Sequence, residues 1–206
     1  MSLRRTPAAD ALYGIAESQH GLFTAQQATQ CGYALGSHAH HVKVANWLRL
    51  HRGIYRLARF PQSEDAQLML WFLWSRSREG SPQGVYSHQT ALSLYELSDA
   101  MPAKLHMTVP ASFRRNSGIP AVLVLHWADL DKTDVEDMRG VRVAKPLKTI
   151  CTLAEEDVVS RDLVSQAVEE GMQRGLFTRG ELRRVASRPQ TPAWLAKVLS
   201  RLAGTA

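Results

Sequence analysis

The sequence predicts an α+β protein, with an N-terminal winged helix-turn-helix over residues 1–60 and a mixed α/β domain over 64–206 that ends in helices. Three observations carry this prediction. Between Leu22 and Leu57, two short helical stretches precede two alternating runs joined at Arg52-Gly53, the pattern of a hairpin. Lys104–Val109, Ala121–Trp127 and Val141–Val143 read as strands set among helical and loop segments. From Arg161 onward the patterning is helical, in segments of about 161–174, 179–186 and 193–202. Phe60-Pro61-Gln62-Ser63 marks the boundary between the two parts.

In order along the chain, Ala8–Gln19 forms a helix with Leu12, Ile15 and Ala16 on one stripe and Gly21 as its stop. Arg4 and Arg5 precede it as a short basic arm. Thr24 is the expected N-cap of a helix over Ala25–Cys31, which Gly32 ends. A second helix runs over Gly36–Ala45, closed by Asn46, a residue that tolerates a left-handed cap. With Ala39 taken as the inward direction, Leu35, Val42 and Asn46 share its face. Ser37, His40, His41 and Val44 then point outward, with His38, Lys43 and Ala45 on the flanks. In the hairpin, Leu48–His51 and Ile54–Leu57, the expected inward residues are Leu48, Leu50, Tyr55 and Leu57; Arg49, His51, Arg52, Arg56 and Arg59 are the exposed ones.

Asp65–Arg78 is a helix apolar nearly all round, expected at the centre of the second domain or at the seam between the two. Ser87 reads as the N-cap of His88–Leu97, and Phe113–Gly118 as a basic loop between strands. Pro146 opens a helix over Leu147–Glu155. Leu176-Phe177-Thr178 echoes Leu22-Phe23-Thr24, each placing a threonine N-cap before a helix.

The net charge of +6 becomes informative when it is located. The first 60 residues hold seven lysines and arginines against two acids; the remaining residues hold 18 against 17. Five of the eight histidines also fall in the first 60. Binding to phosphates by counterion release favours such a concentration of positive charge. Ser37, His40 and His41 are therefore the candidate base-facing residues, and His38, Lys43, Arg49, Arg52 and Arg56 the candidate phosphate contacts. Histidine and serine have no fixed base partner, so no operator sequence follows. The longest strongly apolar run, Leu68–Trp74, is too short to span a bilayer, and no apolar segment follows the two N-terminal arginines as in a signal peptide. Two distant cysteines, Cys31 and Cys151, read as reduced thiols in a cytoplasmic protein.

Catalytic patterns are thin. His38 and His41 have a helical ligand spacing, but no second pair completes a zinc site with Cys31 or His51. Ser87-His88 lacks the surroundings of a nucleophile, and His106 and His126 read as core or edge histidines within strands. Asp129, Asp131, Asp134, Glu136 and Asp137 read as a solvated acidic turn. The residues thus give no catalytic group, metal or cofactor. The alternative is a small metal-dependent nucleic-acid-processing enzyme that the winged domain targets and whose ion the acidic loop holds.

The segments LFTAQQA, LRLHRGIYRLA, YSHQTALSLYELSD, KLHMTVP, Arg114-Arg115 and GVRVAKPLKTICTLAE, in this order, resemble the AbiEi-type antitoxins of bacterial toxin–antitoxin systems. The resemblance runs over about residues 10–160 and is firmest at Gly53-Ile54-Tyr55, Ser87–Leu92 and Thr108-Val109-Pro110. It implies a non-catalytic repressor of its own operon, bound to double-stranded DNA at inverted repeats through the winged domain. It also implies a second domain acting against a nucleotidyltransferase-like toxin encoded alongside. The family is of type IV, which implies no stable complex with that toxin. Asn46 stands where relatives often have glycine, and the last 45 residues match less well.

Overall fold

A computed structural model describes residues 6–97 and 102–204 of this mixed α/β protein. The arm residues Arg4 and Arg5 lie outside the described residues. The chain divides into two compact units, one of Met1–Gly84 with Asp137–Val141 and one of Val85–Glu136 with Arg142–Ala206.

In the first unit, the Thr6 side chain accepts from the Ala9 N–H and Pro7 fills the first turn, which starts α1 (Pro7–Glu17). Strand β1 (Leu22–Thr24) follows, and Thr24 caps α2 (Ala25–Gln30): its hydroxyl accepts from the Gln27 N–H, and its own N–H donates to Gln27 Oε1. A 3-10 turn over Leu35–Ser37 leads into α3 (His38–Lys43). Strands β2 (Trp47–His51) and β3 (Ile54–Leu57) form the expected hairpin around Arg52-Gly53. Strand β1 was not expected; it pairs antiparallel with β3 and makes a sheet of order β1-β3-β2. Three residues with no alternation to display gave a pattern search nothing to detect.

One face of this sheet joins α1 and α2 in a core of Leu12, Ala16, Phe23, Ala28 and Trp47, with Tyr55 and Leu57 packed against it. Helix α4 (Ala66–Trp74) packs against β1 and β3. The boundary therefore falls after Gly84 rather than at residues 60–64, and α4 belongs to the first unit. Its all-round apolar surface follows from this: Ile54, fully buried, lies on the sheet face opposite Tyr55 and needs a cover of its own.

The second unit holds most of a five-stranded sheet of order β6-β5-β4-β8-β7, formed by β4 (Val85–Tyr86), β5 (Leu105–Val109), β6 (Leu123–Trp127), β7 (Val135–Met138) and β8 (Val141–Ala144), of which Asp137, Met138 and Val141 are counted with the first unit. Strand β4 is antiparallel to β5 and parallel to β8, while β5 and β6 run parallel. Helix α5 (His88–Leu94) packs on β5 and on α6 (Pro146–Glu156). Helices α7 (Arg161–Gln173), α8 (Arg179–Ala186) and α9 (Ala193–Leu202) complete the unit, close to their expected spans. Cys31 and Cys151 are both free thiols; burial pushes the Cys151 thiol up to about 11, so it is protonated at neutral pH.

The echoed segment is a shared structural device. Gly21-Leu22-Phe23-Thr24 and Gly175-Leu176-Phe177-Thr178 each start with a left-handed glycine, bury a phenylalanine and end on a threonine that forms a capping box. Gly21 has the tighter requirement, because a Cβ there would stand 2.5 Å from the Phe60 ring.

Two outcomes follow for urea unfolding read by circular dichroism. Thr24→Ala removes one cap and costs about 1 kcal/mol. Gly21→Ala costs more, since the left-handed backbone alone is worth about 1–2 kcal/mol and the Phe60 ring must also move. A Gly21→Ala variant no less stable than Thr24→Ala would show that this turn relaxes freely.

Candidate functional site

Helix α3 is turned by one residue from its expected orientation. His38, not Ala39, faces the core: His38 is 3% exposed, and its ring packs 5.3 Å from Trp47 and 6.0 Å from Tyr55. Val42, four residues on, joins the same core, while Ala39 is exposed. His38 is thus removed from the expected phosphate contacts. Neither of its ring nitrogens has a hydrogen-bond partner among the described residues, and aromatic packing holds the ring instead.

The rotation re-sorts the neighbours. His40 and Lys43 are exposed. His41 is half-buried and lies flat on Trp47, with ring centroids 4.6 Å apart and planes at 20°. Burial lowers the His41 pKa below the usual imidazole value, and charge on His40 and His38 adds to the effect. Ser37 is tied down: its hydroxyl donates to the Ala34 carbonyl at 2.7 Å and closes the 3-10 turn before α3. It is a turn residue before it is a base reader.

Trp47 also decides the hairpin. It opposes Leu57, and Arg49 opposes Tyr55, so Arg49 projects from the same sheet face as Trp47. Arg49 and the turn residue Arg52 are exposed. Leu48 and Leu50, expected inward, are 37% and 41% exposed, because Trp47 takes the inward place and the register slips between Arg49 and His51. Arg56 sits in the central strand opposite Leu48 and Leu22, on the other face; it is half-buried and its Nε is enclosed. Arg56 therefore leaves the phosphate set, while His40, Lys43, Arg49 and Arg52 remain on the surface with His41 at its margin.

The positive charge is also less concentrated than the halves of the chain imply. Residues 174–206 carry seven basic residues against Glu181, offset by an acidic excess over residues 61–173. Part of that C-terminal charge has structural employment. Arg174 donates to the carbonyls of Tyr95 and Glu96, Arg183 to Ala203, and Arg201 pairs with Glu169 at 2.9 Å. Arg184 and Arg188 line a 270 Å³ cavity with Lys145 and Lys148, but Asp134 and Glu181 line it too.

The second unit contains a polar cluster that the sequence reading dispersed. Ser87 precedes α5 without capping it. Its Oγ accepts from the Thr108 hydroxyl at 2.8 Å and lies 2.9 Å from Nδ1 of His88. On its other side, His88 Nε2 lies 3.1 Å from Oε2 of Glu156, the last residue of α6. The ring of His126 stacks on His88 with centroids 3.5 Å apart, and its Nε2 lies 3.0 Å from Nδ1 of His106. Burial, reinforced by charge on His88 and His106, pushes His126 down to about 4 against the opposing pull of Glu156. His88 is buried and adopts a left-handed backbone with φ of 54°. The signal lay in Ser87-His88 and in one histidine on each of two strands. It became a cluster only through the parallel register that sets Thr108 opposite His126. The acidic turn makes no comparable grouping: Asp129 accepts from the Ala111 N–H, and Glu136 from the Tyr95 hydroxyl.

Among the described residues no helix is long and apolar enough to cross a membrane. No family model matches the chain, and no curated protein matches it. Among solved structures it is similar to the crystal structure of the RV2827C protein from Mycobacterium tuberculosis, at 16% identity and a TM-score of 0.60, covering 98% of this chain and 80% of that one. At that identity the likeness is one of fold.

Proposed function

We propose that the chain is a DNA-binding transcriptional repressor of its own promoter and the antitoxin of a type IV system of AbiEi type, acting without catalysis. The observation that carries the DNA reading is the set of exposed groups on α3 and the β2–β3 hairpin, His40, Lys43, Arg49 and Arg52, backed by a core centred on Trp47. In this reading α2 and α3 are the two helices of the turn motif and the hairpin is the wing. Helix α3 spans about 9 Å, short enough to present its whole exposed face to one major groove. Lys43, Arg49 and Arg52 supply phosphate contacts and His40 meets base edges, with His41 supporting it from the Trp47 ring. The sequence resemblance supports the remainder: inverted repeats as the target, a nucleotidyltransferase-like toxin as the functional counterpart without a stable complex, and a cytoplasmic setting.

Fluorescence anisotropy with labelled DNA from upstream of the gene tests the reading. Arg49→Ala, Arg52→Ala and Lys43→Ala should each weaken binding to every sequence and reduce the salt-dependence slope by about one. His40→Ala should alter base preference instead. Arg56→Ala, at a half-buried position, should lower stability and leave the slope unchanged. Absence of binding at low salt would remove the proposal's main support.

A pH series gives a separate check through His41. Its folded-state pKa lies below the unfolded value, so the unfolded chain binds the proton first as pH falls. Stability is therefore full above the ordinary imidazole pKa of about 6.5 and falls as pH drops from there through the folded value. His41→Phe, which keeps a ring on Trp47, should flatten the fall of the melting temperature between neutral and mildly acidic pH. An unchanged pH profile would show that His41 is as hydrated as an exposed imidazole.

A further inference from the structure

The residues that the proposed function leaves unused converge in the second unit. One nitrogen each from His88 and His126 and a carboxylate oxygen of Glu156 lie within 4.8 Å of one another. Three donors of this kind, two imidazoles and a carboxylate, form the ligand set of an open tetrahedral zinc site, with the fourth position left for water or an incoming group. The donors come from three separate elements, α5, β6 and the end of α6, so local helical spacing did not produce the grouping.

The surroundings resemble a built site. A metal-bound histidine nearly always has its other ring nitrogen held by a hydrogen bond that sets its tautomer and orientation. Both histidines meet that condition. His88 Nδ1 is held at 2.9 Å by Ser87 Oγ, which Thr108 anchors in turn, and all three residues are at least 95% buried. His126 Nε2 lies 3.0 Å from His106 Nδ1, and in the tautomer in which Nε2 donates to it, His126 Nδ1 keeps its lone pair. The backbone of His88 is left-handed, a conformation that costs a non-glycine residue about 1–2 kcal/mol and that collects at functional positions.

We propose that His88 and His126, each through one ring nitrogen, and Glu156 through a carboxylate oxygen bind one divalent transition-metal ion, with zinc well matched to the two-nitrogen, one-oxygen donor set. Ser87 and His106 are positioning residues that orient the two imidazoles. Ligation through His88 Nε2 requires the neutral ring to carry its one proton on Nδ1, where it donates to Ser87 Oγ, with Nε2 turned from the Glu156 carboxylate to the ion. Binding also tilts His126 out of its stack with His88, whose plane lies 13° away, because the in-plane lone pairs of two parallel rings cannot converge on one ion.

The test uses the full chain stripped with a chelator and titrated with cobalt(II), followed by visible absorption and by competition with zinc. One equivalent of cobalt should give the intense bands of a four-coordinate ion, and zinc should abolish them. Replacement of His88 would perturb a buried, strained position, so Glu156→Gln is the principal variant; that side chain is 42% exposed. It should weaken binding at least tenfold while leaving the circular dichroism spectrum unchanged. Ser87→Ala should weaken binding by about 10-fold or more. His40→Ala, in the other histidine group, should have no effect, which separates this site from the proposed DNA interface. Lack of saturable one-to-one uptake, or equal affinity in Glu156→Gln, would overturn the proposal.

Discussion

The first unit depends on the burial of one indole. Trp47 is 2% exposed and lies within 4.6–5.6 Å, centroid to centroid, of Phe23, Tyr33, His38, His41 and Tyr55. These rings come from β1, the loop after α2, α3 and β3, so a single side chain of β2 ties together three further elements and a loop of the unit. An aromatic of this size buries a large apolar area and adds edge and stacking contacts worth about 0.5–1.5 kcal/mol per pair. A six-residue helix such as α3 cannot be stable by itself. Its orientation is set by where Trp47 accepts its rings, and hence so is the choice of side chains it presents outward.

That dependence explains which parts of the site could be read from the chain and which could not. The hairpin was legible to within a residue because Arg52-Gly53 and the flanking alternation are local signals, and so was the Thr24 cap. The face of α3 was not. Helical periodicity gives relative directions around an axis but no absolute zero, and choosing Ala39 as inward rested on its apolar character. The core selected His38, a bulkier ring that fits among aromatics, and this moved His38 inward and Ala39 out. The same competition displaced Leu48 and Leu50: once Trp47 occupied the inward position at the strand's start, alternation sent the leucines to the other face.

In the second unit the limit was different. Strands β5 and β6, helix α6 and the three closing helices followed from apolar runs and caps, but the two-residue β4 carries too little pattern to read. Without β4 the sheet order is unknowable, since it is β4 that joins β5 to β8. Ser87 illustrates the cost. Its position before α5 suited a cap, yet its hydroxyl turns toward Thr108 and His88, partners 21 residues away and next door. A buried hydroxyl takes the partners that leave fewest polar groups unsatisfied, and those are fixed by strand register.

The chain therefore holds two histidine groups that composition alone cannot distinguish. In the first, His38 is packed among rings with no hydrogen-bond partner among the described residues, while His40 and His41 face or border solvent beside Lys43, and no carboxylate joins them in a metal-binding group among the described residues. Such imidazoles are suited to aromatic packing and to surface contacts, and cationic neighbours disfavour a bound cation. In the second, each imidazole has a neighbour at one nitrogen, His88 Nε2 also lies beside the Glu156 carboxylate, and one nitrogen of His126 lies within 4.8 Å of both. Satisfaction of the far nitrogen, convergence of the near ones and a compensating negative charge are separate requirements for cation binding. The second group has the first and the third and gains the second only when His126 tilts from its stack, whereas the first group brings no carboxylate to a metal-binding cluster among the described residues, so a cation-binding role is proposed for the second group alone.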